Sequence, residues 1–389
     1  MKRILTLLLC MALLLAGCGG SPGASSQAAH SAAAAASQSA QPTAEPTAEP
    51  TPAPTQAPAA VQPLTGQEPT GVDTRPMAVM VDNSVYAQTQ WGLADAQVVM
   101  EALTEGKHTN LCLWYGSVDA MPKTGPVTQG KDLFWQFAIP QNAIPVQRGM
   151  NTYAENLLNY YGWQPLDALY VGVNSFDYDG SLPYGTADAY RWHTKGSSLR
   201  NAFGFYGMTA EGYSAPLFRF GNAAGGSAGA ARVEVLYSEQ RSTILQYDPA
   251  TGLWGMFRSD GLPQIDANNG AQAAFTNVVL LRCATSVKDD KFTREYDLTG
   301  GTGWYLTGDS WQPITWQKGG VSAPLQLYNA AGDELTVNVG RSYIGLYGVT
   351  GQQIAVAGAD GTVLAADLAD GTAAAAPAAG PADAQAAQG

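Results

Sequence analysis

The stretch MAVMVDNS, residues 77–84, joins an apolar run directly to an Asp-Asn pair. The apolar residues predict a buried strand, and Asp82 with Asn83 then marks its carboxyl end. An acid at this position of an α/β domain lies where ligands tend to bind. Asp and Asn also favour turns, because their side chains bond to their own backbone. The pair is therefore either a working group or a turn former.

The segments next to this strand predict a mixture of strands and helices. VVMEALTE-GK-HTNLCLWY, residues 98–115, indicates a hairpin about Gly106-Lys107, although its first half also fits a short helix. Residues 130–138 fit a helix and residues 143–147 a strand. Asn151 is placed to cap a second helix, and Ser197 or Ser198 to cap a third. We expect a mixed α/β N-terminal domain over residues 71–220.

After a linker of small residues, 221–231, the pattern changes to short apolar runs separated by Gly, Asp and Asn. These runs predict a β-rich C-terminal domain over residues 232–350. Within 351–389 we expect a hairpin about Asp360-Gly361, followed by a disordered Ala-rich tail. The fold class predicted for the whole chain is α+β.

The first residues, MKRILTLLLCMALLLAGCGG, have the composition of a signal peptide over residues 1–17. The apolar core is too short to span a bilayer and ends in small residues. Leu15-Ala16-Gly17-Cys18 also looks like the lipobox of bacterial lipoproteins, in which the cysteine is acylated. Two acyl chains on Cys18 would form a stable membrane anchor.

Residues 18–70 are rich in Pro, Ala and Ser, and they predict a disordered tether that begins at the lipidated cysteine. Its proline density favours a semi-extended chain of up to about 3.1 Å per residue. An anchor followed by a long tether indicates an extracytoplasmic protein, held on the outer face of the cell membrane within a Gram-positive envelope.

The composition bounds the partners. The formal charge of the 389-residue chain is −12, with 13% charged residues and no Lys/Arg cluster, so nucleic acid is not an expected ligand. No cofactor and no metal site is expected either. Cys112 and Cys283 lie in apolar runs, where buried free thiols are the first expectation and a disulfide the alternative.

A resemblance covers residues 74 to 347. Arg75–Asn83 and Val99–Gly106 resemble the opening of the YerB-like bacterial lipoproteins, and Gly303–Gly308 with Pro313–Trp316 resembles their second half. The resemblance implies two regions of unknown function and brings no activity.

The chain departs from the family pattern at two places. The family usually reads Gly-Pro-Ile/Val-Arg-Ser-x-Arg where this chain has Gln129 and Lys131, and Pro-His-Asn-Leu-Tyr where it has Asp188 with His193 nearby. If the family positions bind an anion, the planar guanidinium donors are missing here. Lys131, Asp188 and His193 are candidate binding residues, together with Arg148.

Glu101 and Glu105 of the predicted hairpin complete a second candidate set with Asp82 and Asn83. Several carboxylates in one cleft raise one another's pKa and suit acid/base or metal chemistry. Solvated glutamates beside a turn-forming Asx pair explain the same residues, so we assign no catalytic residue.

Other motifs carry less weight. Gly225–Gly229 matches G-x-S-x-G, but it lacks the strand before and the helix after that a nucleophile elbow needs. Trp304, Trp311 and Trp316 fall in a predicted hairpin region. They form either a stacking platform for a glycan or peptide or a cross-strand core, and the core interpretation is favoured.

The leading hypothesis is a lipid-anchored binding module for a cell-wall glycan, another envelope polymer or a protein partner. The alternative is a hydrolase of cell-wall or peptide material that uses carboxylates such as Asp82 and Glu101.

We predict that Cys18→Ser releases the mature protein from the membrane or leaves uncleaved precursor, without a change in the fold beyond residue 70, because the thiol is the acylation site. Membrane fractionation measures the release. Mass spectrometry that finds no acyl chain on the wild-type N-terminus would contradict the prediction.

Overall fold

The computed structural model describes residues 60–69, 74–87, 89–171, 174–183, 185–223 and 225–368. The predicted signal peptide, Cys18 and most of the tether lie outside the described residues, and so does the Ala-rich end of the chain. The described part is α+β and rich in strands.

Four helices occur among the described residues, and all of them lie before residue 207. They are α1 Asp132–Ala138, α2 Thr152–Tyr161, α3 Ala168–Val171 and α4 Gly196–Tyr206. A 3-10 turn covers Asp188–Tyr190. The strands are β1 Met77–Asp82, β2 Val98–Glu105, β3 His108–Tyr115, β4 Ile144–Gln147, β5 Leu166–Asp167, β6 Asp177–Tyr178, β7 Trp192–His193, β8 Arg219–Gly221, β9 Arg232–Ser238, β10 Arg241–Asp248, β11 Leu253–Phe257, β12 Ala274–Phe275, β13 Asn277–Cys283, β14 Thr285–Val287, β15 Arg294–Tyr296, β16 Gly300–Thr307, β17 Ser310–Lys318, β18 Leu325–Tyr328, β19 Thr336–Asn338, β20 Ser342–Gly348, β21 Gln353–Ala357 and β22 Val363–Asp367.

A ten-stranded sheet contains strands from both predicted domains, in the order β18-β17-β16-β13-β20-β2-β3-β1-β4-β5. β2 comes from the first segment and pairs in parallel with β20 of the second, from Val98↔Ser342 to Ala102↔Leu346. The division of the chain into two domains at residues 221–231 remains a prediction. Strands from before and after this linker form one continuous sheet.

The central strands of this sheet are buried on both faces, which is why they are apolar runs rather than alternating patterns. On one face, Val79, Val99 and Leu113 join the first core, which also contains residues of the second sheet. On the other face, Met80 and Met100 join the second core with residues of α1 and α2.

A six-stranded sheet, in the order β12-β11-β10-β9-β21-β22, packs on the first core through side chains such as Val235 and Leu245. β21 and β22 pair as an antiparallel hairpin. The second sheet therefore covers the face of the large sheet on which Val99, Glu101 and Leu103 lie.

Local predictions have mixed outcomes. The hairpin of β2 and β3 and the Asn151 cap of α2 are confirmed; Asn151 Oδ1 accepts from the Ala154 amide at 2.8 Å. The serine caps of α4 are wrong, because the helix begins at Gly196, with Lys195 at the N-cap and no side-chain cap. The backbone enters the helical region earlier than the polar residues indicate.

The tether predicted over 18–70 ends earlier than its composition suggests. Leu64 is buried in the second core, and the Leu217 amide donates to the Pro63 carbonyl at 2.8 Å. Gln62 Oε1 accepts from the Leu64 and Thr65 amides at 2.8 Å each. The buried leucine and the bond between Leu217 and Pro63 attach this segment to the domain, and the Gln62 side chain stabilises its turn.

Cys112 and Cys283 are buried free thiols. Burial raises the pKa of both well above the usual thiol value, so both stay protonated and unreactive. In the part of the chain that is described, no helix has the length and apolar character needed to cross a bilayer.

We predict that residues 60–231 do not fold cooperatively when expressed alone, because β2 then loses β20 as its hydrogen-bonding neighbour and the first core loses the second sheet. Urea unfolding followed by circular dichroism measures cooperativity, and co-expression with residues 232–368 should restore it. A single steep transition of the isolated segment at the full-chain midpoint would disprove the shared-core interpretation.

Candidate functional site

The carboxyl ends of several parallel strands meet at one edge of the large sheet. β1 pairs in parallel with β4, and β4 with β5. β2 runs in the same direction, since β1 and β2 both pair antiparallel with β3. Ligands of open α/β sheets bind beyond such ends. Asp82, Asn83, Glu105 and Arg148 all lie at this edge.

Asp82 makes the contact expected of a turn former. Its Oδ1 accepts from the Ser84 amide at 2.8 Å, and its backbone carbonyl accepts from Gln90 Nε2 at 2.7 Å. The carboxylate is half-buried. The Asx turn directs the next residue, Asn83, inward.

Asn83 and Glu101 do converge, and they do so inside the protein. Asn83 Nδ2 donates to Glu101 Oε1 at 2.9 Å and to Thr109 Oγ1 at 2.9 Å. Thr109 Oγ1 donates to the same Glu101 oxygen at 2.6 Å. Glu101 is fully buried. This carboxylate therefore connects the end of β1 with β2 and β3.

The second oxygen of Glu101 faces the other half of the chain. Thr243 Oγ1 of β10 and the Tyr343 hydroxyl of β20 each donate to Oε2 at 2.8 Å. The Tyr237 hydroxyl of β9 lies 2.8 Å from that of Tyr343. Four donors from four segments thus meet one carboxylate, and Thr243 comes from the second sheet.

The phenols of this network remain protonated. Burial raises the pKa of Tyr343 well above its usual value of 10, and the negative charge of Glu101 raises it further. The pKa of Tyr237 is raised by the same two causes. A phenol that keeps its proton remains a hydrogen-bond donor, so the contact with Glu101 holds throughout the physiological pH range.

Arg241 supplies the charge that opposes Glu101. Its Nε lies 3.8 Å from Glu101 Oε1, and the two side chains are 2% and 0% exposed. Nε and Nη2 of Arg241 have no hydrogen-bond acceptor among the described residues. Removing the Glu101 charge would therefore leave a buried guanidinium uncompensated.

Glu105 does not join this network. Its Oε1 accepts from Lys131 Nζ at 2.6 Å, and Lys131 Nζ also lies 3.1 Å from Gln129 Oε1. Lys131 is buried, whereas Gln129 is exposed. The four acidic and amide side chains expected in one cleft therefore do not all meet: Asn83 and Glu101 form one network, and Glu105 forms another with Lys131. The β-bulge after Leu103 separates Glu105 from Glu101, because it interrupts the alternation of β2.

Arg148 and Asp188 form a surface group with Trp192. Arg148 Nη2 lies 3.2 Å from Asp188 Oδ2, and Trp192 Nε1 donates to the same oxygen at 3.2 Å. The guanidinium lies 5.1 Å from the centre of the Trp192 ring. Arg148 thereby has both an ion-pair partner and a ring partner.

His193 packs against Trp91, with ring centres 5.3 Å apart. Burial lowers its pKa below 6.5, and the nearby charge of Lys123 lowers it further. Lys123 Nζ lies 3.9 Å from the centre of the Trp91 ring. The imidazole is therefore neutral at physiological pH and packs as an aromatic ring.

The three tryptophans separate into two environments. Trp316 is 2% exposed and belongs to the second core, as the core interpretation predicts. Trp304 and Trp311 are partly buried, with ring centres 5.5 Å apart. Trp304, unlike the other two, lines a groove on the surface.

This groove, the Trp304 groove, has a volume of about 660 Å³. Asp367 Oδ2 accepts from Trp304 Nε1 at 2.7 Å and from the Tyr347 hydroxyl at 2.5 Å, which fixes the indole. Arg282 Nη1 lies 3.7 Å from Asp367 Oδ1. The sequence indicated the tryptophan but not Arg282 or Asp367, which are distant from it along the chain. The lining residues are Arg282, Thr302, Gly303, Trp304, Pro313, Ile314, Thr315, Asn329, Ala330, Ala331, Gly332 and Asp367.

Nucleophile and metal motifs gain no support from the geometry. Ser227 forms an isolated antiparallel bridge with Trp311 and is followed by extended loop rather than by a helix. Within the described ranges, no group of three or more His, Cys, Asp or Glu side chains is placed to hold a metal ion.

Comparison with known proteins identifies two matching regions. The model described as "Protein of unknown function (DUF3048) N-terminal domain" matches residues 64–200, and the model of the corresponding C-terminal domain matches residues 233–344. "Putative lipoprotein YerB" of Bacillus subtilis (strain 168) is 28% identical over 255 residues, which are 61% of this chain and 72% of that protein.

A solved structure shares the fold. The crystal structure of the YerB protein from Bacillus subtilis matches with a TM-score of 0.65 at 22% identity, covering 74% of this chain and 96% of that chain. The likeness concerns the fold alone.

We predict that Glu101→Gln lowers the free energy of unfolding by about 3 kcal/mol, because an amide nitrogen cannot accept the bonds of a carboxylate and Arg241 loses its counter-charge. Urea unfolding at pH 7 measures the change. Glu239→Gln is the matched control: its surface ion pair with Lys107 is exposed, so we expect a loss of at most about 1 kcal/mol. Equal stability of the two variants would contradict the assigned role of Glu101.

Proposed function

We propose that this chain, which belongs to the YerB-like family of bacterial lipoproteins with two domains of unknown function, is a lipid-anchored module that binds a glycan of the cell envelope. The observation that carries the proposal is the Trp304 groove, where one oriented indole lies beside a carboxylate, a guanidinium and an amide.

The chemistry of the groove suits a sugar chain. The apolar face of a sugar ring packs on an indole, while its hydroxyls bond to polar groups at the ring edge. Trp304 offers the indole, and Asp367 and Asn329 offer acceptors near it. Thr302 and Thr315 are opposite each other in the β16–β17 pairing and exposed, so their hydroxyls are available to a ligand in the groove.

The placement of the protein supports the same proposal. The lipobox-like sequence before Cys18 and the Pro-rich tether that follows would hold the domain outside the membrane, at a distance set by the tether. The relative from Bacillus subtilis carries the name of a lipoprotein. A tethered domain at that location is surrounded by wall polymer.

The geometry does not favour the hydrolase alternative. Both oxygens of Glu101 accept bonds from buried donors, and the side chain has no exposed surface that a substrate could reach. Asp82 bonds to the backbone of its own turn. A general acid or base must lie within hydrogen-bond reach of its substrate.

We predict that Trp304→Ala weakens retention on purified peptidoglycan or isolated wall glycan by about tenfold or more, because truncating a tryptophan anchor typically costs about 2 kcal/mol or more of binding free energy. Co-sedimentation at a series of protein concentrations gives the affinity. Thermal unfolding verifies that the variant is folded.

Trp311→Ala is the matched control. It removes the same side chain from the same partly buried pair, but Trp311 does not line the groove. Its affinity should stay within about threefold of wild type. Equal retention of Trp304→Ala and wild type would overturn the proposal. Release of soluble wall fragments that disappears in Asp82→Ala would favour the hydrolase instead.

A further inference from the structure

A second cavity lies where turns from both halves of the chain meet, and we call it the hairpin cavity. It has a volume of about 520 Å³. The β2–β3 turn approaches the β9–β10 turn there, and Ser238 Oγ donates to the Lys107 carbonyl at 2.8 Å. No lining residue is shared with the Trp304 groove. The lining residues are Leu103, Gly106, Lys107, Tyr237, Ser238, Glu239, Phe292, Arg294, Thr350, Gly351 and Gln352.

The floor of the hairpin cavity is apolar. Leu103 and Tyr237 lie behind the cavity as buried members of the first core, 2% and 1% exposed. The exposed Phe292 ring gives a bound molecule an apolar surface to cover. Cavities of this size, with an apolar lining and a few polar groups, are typical of small-ligand sites.

Arg294 brings an unpaired positive charge to this cavity. It has no carboxylate within ion-pair distance among the described residues, although other arginines of the chain do. Its Nε is buried and has no hydrogen-bond acceptor there. Burying a guanidinium nitrogen without an acceptor is unfavourable, so the site is complementary to an anion.

Phe292 stands at the rim in a conformation that aromatic residues rarely adopt. Its φ is 60°, in the left-handed region, and its side chain is 63% exposed. Asp289 holds the loop: its carbonyl accepts from the Phe292 amide at 3.2 Å, and its Oδ1 from the Thr293 amide at 3.0 Å. A strained backbone that presents an exposed ring beside a cavity is a feature typical of ligand sites.

We propose that the hairpin cavity binds an apolar group that carries a carboxylate. The carboxylate pairs with the Arg294 guanidinium, which suits it better than an ammonium because its donors lie in one plane. The apolar part packs on the exposed Phe292 ring, in front of the buried side chains of Leu103 and Tyr237. This site is independent of the glycan proposal and would stand if that proposal failed.

Two sources offer this chemistry, the free C-terminus of a peptide and a fatty acid. The peptide probe is N-acetyl-leucyl-phenylalanine, and its C-terminal amide is the uncharged match. The fatty-acid probe is hexanoate, matched by hexanamide. Calorimetric titration of the full chain, purified in detergent, gives the affinity for each compound.

For at least one source, the carboxylate should bind about tenfold or more tightly than its amide, as expected for a charge-assisted pair. Arg294→Gln should reduce this ratio to below about twofold. Arg200→Gln is the matched control, since Arg200 pairs with Asp119 on the exposed surface and does not line the cavity. Its ratio should equal that of wild type.

Phe292→Gly tests the rim separately. Glycine adopts the left-handed backbone without strain, so thermal unfolding should occur at the same or a higher temperature. Affinity for acid and amide should fall together, by about threefold or more, because the ring contacts the apolar part. The proposal is overturned if no probe binds saturably, if wild type binds acid and amide equally, or if Arg294→Gln keeps the wild-type ratio while folded.

Discussion

The fold depends on one buried carboxylate. Glu101 lies on the face of the large sheet that the second sheet covers. Its neighbours on that face of β2, Val99 and Leu103, are both apolar core residues. Its four hydrogen bonds come from Asn83, directly after β1, and from β3, β10 and β20. A carboxylate can be buried only if such donors and a counter-charge accompany it, so the two halves of the chain must assemble around it in one arrangement.

This constraint explains why the functional candidates lie at the periphery. The central strands are covered on both faces, and the fully buried Glu101 is enclosed together with Arg241. Ligands must therefore use the ends and edges of the sheets. The Trp304 groove lies beside β22, the edge strand of the six-stranded sheet. The hairpin cavity lies among turns that include the β2–β3 and β9–β10 turns. Both surfaces combine an aromatic ring with a guanidinium.

The departures from the family pattern also have a structural meaning. Lys131, which the resemblance places in a segment where an arginine is expected, is buried and paired with Glu105 rather than free for a ligand. Arg148 is held by Asp188 and the Trp192 ring. Cations available to an anion lie elsewhere on this chain. Arg294 is one of them, and it lines a cavity formed by turns from both halves of the chain.

The sequence by itself determined the strand of residues 77–82, the hairpin about Gly106-Lys107 and the capped helix after Asn151, because these follow from local periodicity and capping. It also determined the family. Only the tertiary structure decided that Asn83 meets Glu101 while Glu105 does not, that Trp304 lines a groove while Trp316 is core, and that strands from both halves share a sheet. Such contacts join residues far apart along the chain, and no local pattern records which distant strands will pair.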